Sequence, residues 1–98
     1  CDKVRAAGET YMGLVEVGVG LLPGGGGTKE MALRSMDLAK KTPDADPLVF
    51  LKKTFEIIGM GKVATSAQEA RSFGFLRDSD AISMNGDRVI ADAKQEVL

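Results

Sequence analysis

Histidine and tryptophan are absent from this chain, and cysteine occurs once. Without histidine, a Ser-His-Asp triad, a Cys-His dyad and any histidine-ligated zinc site are excluded within it. A lone cysteine forms no internal disulfide and gives no reason to expect an oxidising compartment. No apolar run approaches the roughly 18 to 20 residues that cross a bilayer. Charge of one sign is missing too: 13 Lys+Arg against 14 Asp+Glu leave a formal net charge of −1. That balance removes the usual electrostatic case for nucleic acid or an anionic membrane as a partner. The opening Cys1-Asp2-Lys3-Val4-Arg5 is not the basic-then-apolar start of a signal peptide. Chemistry is left to Asp, Glu, Lys, Tyr, Cys1 and hydroxyl groups.

What is present is enough for one domain with a modest core, at 98 residues. Val4 and Ala6 read as inward residues of a short strand, and Cys1 as a former core residue. Val15, Val17, Val19 and Leu21 alternate against Leu14, Glu16, Gly18 and Gly20, a pattern that predicts a strand or extended segment. Pro23-Gly24-Gly25-Gly26-Gly27 breaks it. Thr28 is expected to cap a helix over Lys29–Lys41, with Met31, Ala32, Met36 and Ala39 on its apolar side. Thr42 to Pro47 is a polar turn. Asp46 then reads as an N-cap with Pro47 at the first helical position, followed by Leu48, Leu51, Phe55 and Ile58 at helical spacing. Ser66-Ala67-Gln68-Glu69 is a capping-box signature, opening a short helix with Ala67, Ala70 and Phe73 inward and Gly74 as its stop. Ala81 to Met84 is extended before an Asn85-Gly86 turn. Asp87 is expected to cap a last helix with Ile90, Ala93 and Val97 inward. That helix reads as still in progress at Leu98, so the chain is expected to be a piece of a longer protein.

Three features bear on chemistry. Glu16 is the only carboxylate in the apolar run Tyr11–Leu22, among glycines that let a ligand approach the backbone. Apolar walls disfavour a carboxylate's charged form, which suits a general acid or base; alternatively, Glu16 simply points into water. Gly24 to Gly27 either presents backbone N–H groups to an anion or a thioester oxygen, or only turns the chain. It is not a P-loop, since no Gly-Lys-Ser/Thr follows. Finally, Gly59-Met60-Gly61-Lys62-Val63-Ala64 fits a dinucleotide fingerprint, with Asp78 and Asp80 downstream where a ribose-binding acid belongs. A nicotinamide site there needs a buried strand before Gly59, whereas Leu48–Ile58 carries a helical period. Arg34, Lys40, Lys41, Lys52, Lys53 and Lys62, spread among acids, read as a solvated face.

The stretch Glu16-Val17-Gly18-Val19-Gly20-Leu21-Leu22-Pro23-Gly24-Gly25-Gly26-Gly27-Thr28 resembles the crotonase (enoyl-CoA hydratase/isomerase) superfamily, and Ala64 to Leu76 resembles that family's later helix and turn. The likeness is greatest to the hydratase-type domain of bacterial proteins that also carry a 3-hydroxyacyl-CoA dehydrogenase domain. It implies an α/β fold, a mostly helical C-terminal portion (residues 1–98) of one crotonase-like (ClpP/crotonase) domain with two or three short strands. The implied parent is a cytoplasmic enzyme of fatty-acid β-oxidation acting on acyl-CoA thioesters. In this reading Glu16 is catalytic, while Gly20, Pro23, Gly24, Gly25 and Gly26 bind substrate. No cofactor or metal is expected in this segment, NAD belonging to a separate dehydrogenase domain of the parent. The partners implied are the rest of the parent chain and a possible homo-oligomer. The alternatives are an NAD-binding module around Gly59–Ala64, or a structural or oligomerisation segment.

Overall fold

A computed structural model describes residues 2–98; the reading of Cys1 as a core residue lies outside them. The chain gathers into two compact units, one ending at Met12 and resuming at Ala64–Leu98, the other spanning Gly13–Val63. The described residues are mostly helical with a few short strands.

In the first unit, β1 (Arg5–Ala7) pairs in parallel with β4 (Ala81–Ser83), Ala6 opposite Ile82. β2 (Met12–Gly13) pairs with β3 (Val63–Ala64), where the chain passes between the units. Against these strands lies α3 (Ala67–Phe73). Half of the predicted capping box forms: Ser66 accepts from the Glu69 N–H at 3.1 Å, whereas the Glu69 carboxylate accepts from the N–H of Thr65, one residue before the cap, at 3.2 Å. Gly74 stops the helix with φ 93°, a left-handed geometry glycine adopts without steric cost. The core is built of small residues: Ala64, Ala67 and Ala70 are fully buried, with Ala6 and Leu76 beside them. Val4, Met12, Phe73, Phe75 and Ile82 pack around that centre, and Phe73 meets Phe75 edge to face, centroids 6.2 Å apart.

The last helix departs from expectation. Asn85, not Asp87, accepts the first free N–H, and a 3-10 turn over Gly86–Arg88 leads into α4 (Val89–Val97). Ile90 and Val97, expected inward, are each 86% exposed, and α4 has no buried residue. Ala93, the third residue expected inward, is half-buried, and the helix is tied down by its charged side chains. Arg5 on β1 donates to Glu96 at 2.9 Å and lies 3.4 Å from Asp92. Ser83 on β4 donates to Asp92 at 2.6 Å, and Lys3 to Glu96. The apolar period fixed a helix but not which side faced the sheet, because the partners that decide it lie at the other end of the chain.

The second unit is a helical hairpin with a loop in front. α1 (Gly27–Lys41) buries Met31, Ser35 and Ala39 in one stripe, the Ser35 hydroxyl satisfied by the Ala32 carbonyl at 2.8 Å. α2 (Pro47–Gly59) begins as expected, Asp46 accepting from the Leu48 N–H at 3.0 Å with Pro47 in the first turn. Thr28 does not cap α1. Gly26 occupies the N-cap at φ 116°, while the Thr28 hydroxyl donates to the Pro23 carbonyl. The predicted strand over Val15–Leu21 is a 3-10 turn, Glu16–Val19. Its N–H groups close locally, Gly18 to Val15, Gly20 to Val17 and Leu21 to Glu16. Alternation cannot hold a strand that has no neighbour to pair with, and Gly20 at φ 81° turns the chain away.

Candidate functional site

Two features of the second unit could meet a ligand. One is the Glu16 turn. Glu16 is half-buried, and its Oε2 is shielded from solvent with no hydrogen-bond partner among the described residues. Polar atoms shut away from water are normally paired, and this oxygen is an exception. The glycines that follow differ in their surroundings. Added Cβ atoms at Gly20 and Gly25 would meet nothing within 4 Å. Pro23 is buried. The Gly24 N–H is committed to the Leu22 carbonyl at 2.8 Å, and the Gly26 carbonyl receives the Glu30 N–H of α1 at 2.9 Å. A Cβ at Gly27 would sit 2.9 Å from the tip of the Leu14 side chain, which would have to move aside.

The other feature is a groove of about 630 Å³ between α1, α2 and the loop before them. Leu48, Leu51, Phe55 and Ile58, the residues whose spacing predicts an apolar helix face, line its α2 side; Ala32 lines the α1 side and Leu22 and Pro23 the loop side. Ile57 alone on α2 is buried, while Leu48 and Phe55 are 53% and 77% exposed. Of the residues singled out from sequence as a thioester site, Pro23 alone is among those lining the groove, and of the dinucleotide fingerprint Gly59 is; Glu16, Gly20, Gly24, Gly25 and Gly26 are not. The sequence carries the groove's signal, in the helical spacing, but nothing in it says that this face stays open.

The fingerprint Gly59–Ala64 does not have the geometry of a dinucleotide site. Gly59 ends α2, so a helix rather than a strand precedes the motif. The motif therefore meets a helix C-terminus, the negative end of the dipole, where a pyrophosphate is repelled. Asp80, one candidate ribose acid, is buried and engaged: the Val4 and Arg77 N–H groups donate to it at 2.8 and 2.7 Å. Burial would push its carboxyl up, but those bonds and the Arg77 guanidinium outweigh it and hold Asp80 below the usual carboxylate range. It is a structural acid of the first unit. Among the described residues no helix is long and apolar enough to cross a membrane.

Comparison with known proteins corrects the family reading. The chain is 50% identical over 93 residues, 95% of its length, to a protein of Bacillus subtilis (strain 168) named "Probable 3-hydroxyacyl-CoA dehydrogenase". The match spans 11% of that relative. No family model and no solved structure matches the chain. The expectations of crotonase-superfamily membership and of hydratase chemistry are overturned by this match, which is to a dehydrogenase and fits the alternative NAD-binding reading better than the hydratase one. What the chain is similar to is a small part of that protein.

Proposed function

We propose that this chain is a segment of an oxidoreductase of the 3-hydroxyacyl-CoA dehydrogenase kind, acting on acyl thioesters in fatty-acid metabolism. The observation that carries the reading is the 50% identity across 95% of the chain. The oxidation converts a secondary alcohol at C3 to a ketone, releasing a hydride to an acceptor and a proton to a base. The geometry around Gly59–Ala64 does not fit a nicotinamide dinucleotide, so its site is assigned to the remainder of the protein. This segment's share is on the substrate side. Glu16, with its shielded and unpartnered Oε2, is proposed as the polar group that meets the substrate. The loop from Gly20 through Pro23 to Gly24, Gly25 and Gly26 is proposed to run beside it, the open space at Gly20 and Gly25 admitting a ligand close to the backbone.

The test is oxidation of 3-hydroxyacyl-CoA by the intact protein, followed by the absorbance of reduced nicotinamide. Turnover is expected, and Glu16→Gln is expected to lower it. No oxidation at any chain length would contradict the reading. Titration of the present chain with NADH should leave the nucleotide's fluorescence unchanged up to millimolar concentration; saturable quenching in the micromolar range would restore a dinucleotide site at Gly59–Ala64.

A further inference from the structure

The groove of the second unit has a chemistry of its own. Its volume of about 630 Å³ falls within the roughly 300–1,000 Å³ of small-molecule sites. Its lining is nearly devoid of polar partners. Lys52 is the only charged residue there, and the hydroxyls are those of Thr28 and Thr54. The Thr28 hydroxyl is already spent on the Pro23 carbonyl. A ligand that needs hydrogen bonds along its length would lose them in this groove without replacement. A saturated alkyl chain loses none, and it would cover the exposed surfaces of Leu48 and Phe55. The lone cation, with no carboxylate in the lining, suits a chain whose other end is anionic. Lysine lays its methylenes along an apolar wall while its ammonium stays in water.

We propose that the α1–α2 groove seats the alkyl tail of a long-chain acyl thioester, with Lys52 at its rim facing the anionic end of the molecule. This rests on the oxidoreductase reading for the identity of the thioester, and it makes α2 the element that senses chain length.

Two measurements on the intact protein test it. The first compares KM for 3-hydroxypalmitoyl-CoA with KM for 3-hydroxybutyryl-CoA in wild type, Leu51→Ala and Phe55→Ser. The ratio of long-chain to short-chain KM should rise about ten-fold in each variant, the scale of removing apolar contacts in a hydrophobic pocket. An unchanged ratio overturns the groove assignment while leaving the oxidoreductase reading in place. The second measurement needs no variant and no turnover: photolysis of palmitoyl-CoA carrying a diazirine near the end of its tail, then peptide mass spectrometry. Label on the Leu48–Ile58 peptide supports the proposal even where a variant fails to fold or the substrate is not oxidised. Label confined to other peptides overturns it.

Discussion

The two units of this chain use their polar side chains differently. In the first, polar groups are turned to holding the unit together. A buried carboxylate, Asp80, ties the chain before β1 to the turn before β4, and α4, which has no buried residue, is held by polar bonds from Arg5, Lys3 and Ser83. In the second, polar side chains do little of this. Met31, Ala39 and Ile57 are buried, and a row of larger apolar side chains is left open along α2. The contrast is one of degree: among the described residues Arg71 Nε in the first unit is shielded without a hydrogen-bond partner, as Glu16 Oε2 is in the second, and Ile90 and Val97 are as open as Phe55.

The comparison breaks first if Asp80 is not the linchpin of its unit. Asp80→Ala leaves the half-buried N–H groups of Val4 and Arg77 without acceptors, at a cost of about 2 kcal/mol. Urea unfolding should show that loss, and a loss within error of zero would remove Asp80 from the account.

Smaller, and more local, is the effect of Arg5→Ala. Amides of α4 should exchange faster while those of α3 keep their protection, because α4 has no buried residue to retain it. Acid should act in the same direction. The Ser83 hydroxyl, then Arg5 and Arg88, hold Asp92 below the usual carboxylate range. Glu96 is held down chiefly by the Lys3 hydrogen bond, then by Lys3 charge and Arg5. Groups depressed in the folded state give stability that is complete above their unfolded pKa, about 4, and is lost as pH falls through the folded value. Protection of α4 should therefore be flat from neutral pH down to about pH 5 and decline below pH 4. A decline centred near neutrality would contradict the carboxylate latch.

Least in size, the caps compare the units on equal terms. Ser66→Ala in the first and Asp46→Ala in the second should each cost about 1 kcal/mol. A much larger loss at Asp46 would mean that the second unit depends on its helix ends more than on packing.

The same contrast explains what the sequence made legible. Asp46-Pro47, Ser66 with Glu69, and Gly74 were readable because a cap is settled by residues within one turn. The apolar face of α2 was readable from the spacing of Leu48, Leu51, Phe55 and Ile58. Its openness was not, because burial depends on what lies opposite. The strand over Val15–Leu21 misled because alternation describes a side-chain pattern and not the neighbour a strand requires. The orientation of α4 was hidden for a related reason: Arg5 and Lys3, which choose its inward side, stand some 90 positions away, a separation of 91 for Arg5 and Glu96. The motif at Gly59–Ala64 shows the same limit, since its glycines stand at the end of a helix where the fingerprint needs a strand.

The most direct test of the division between the units is hydrogen exchange of the intact protein with and without 3-hydroxypalmitoyl-CoA. The account predicts that ligand slows exchange within Gly13–Val63, most strongly along Leu48–Ile58, and leaves Ala64–Leu98 unaltered. Slowing confined to Ala64–Leu98, or none anywhere in this chain at saturating ligand, would contradict it.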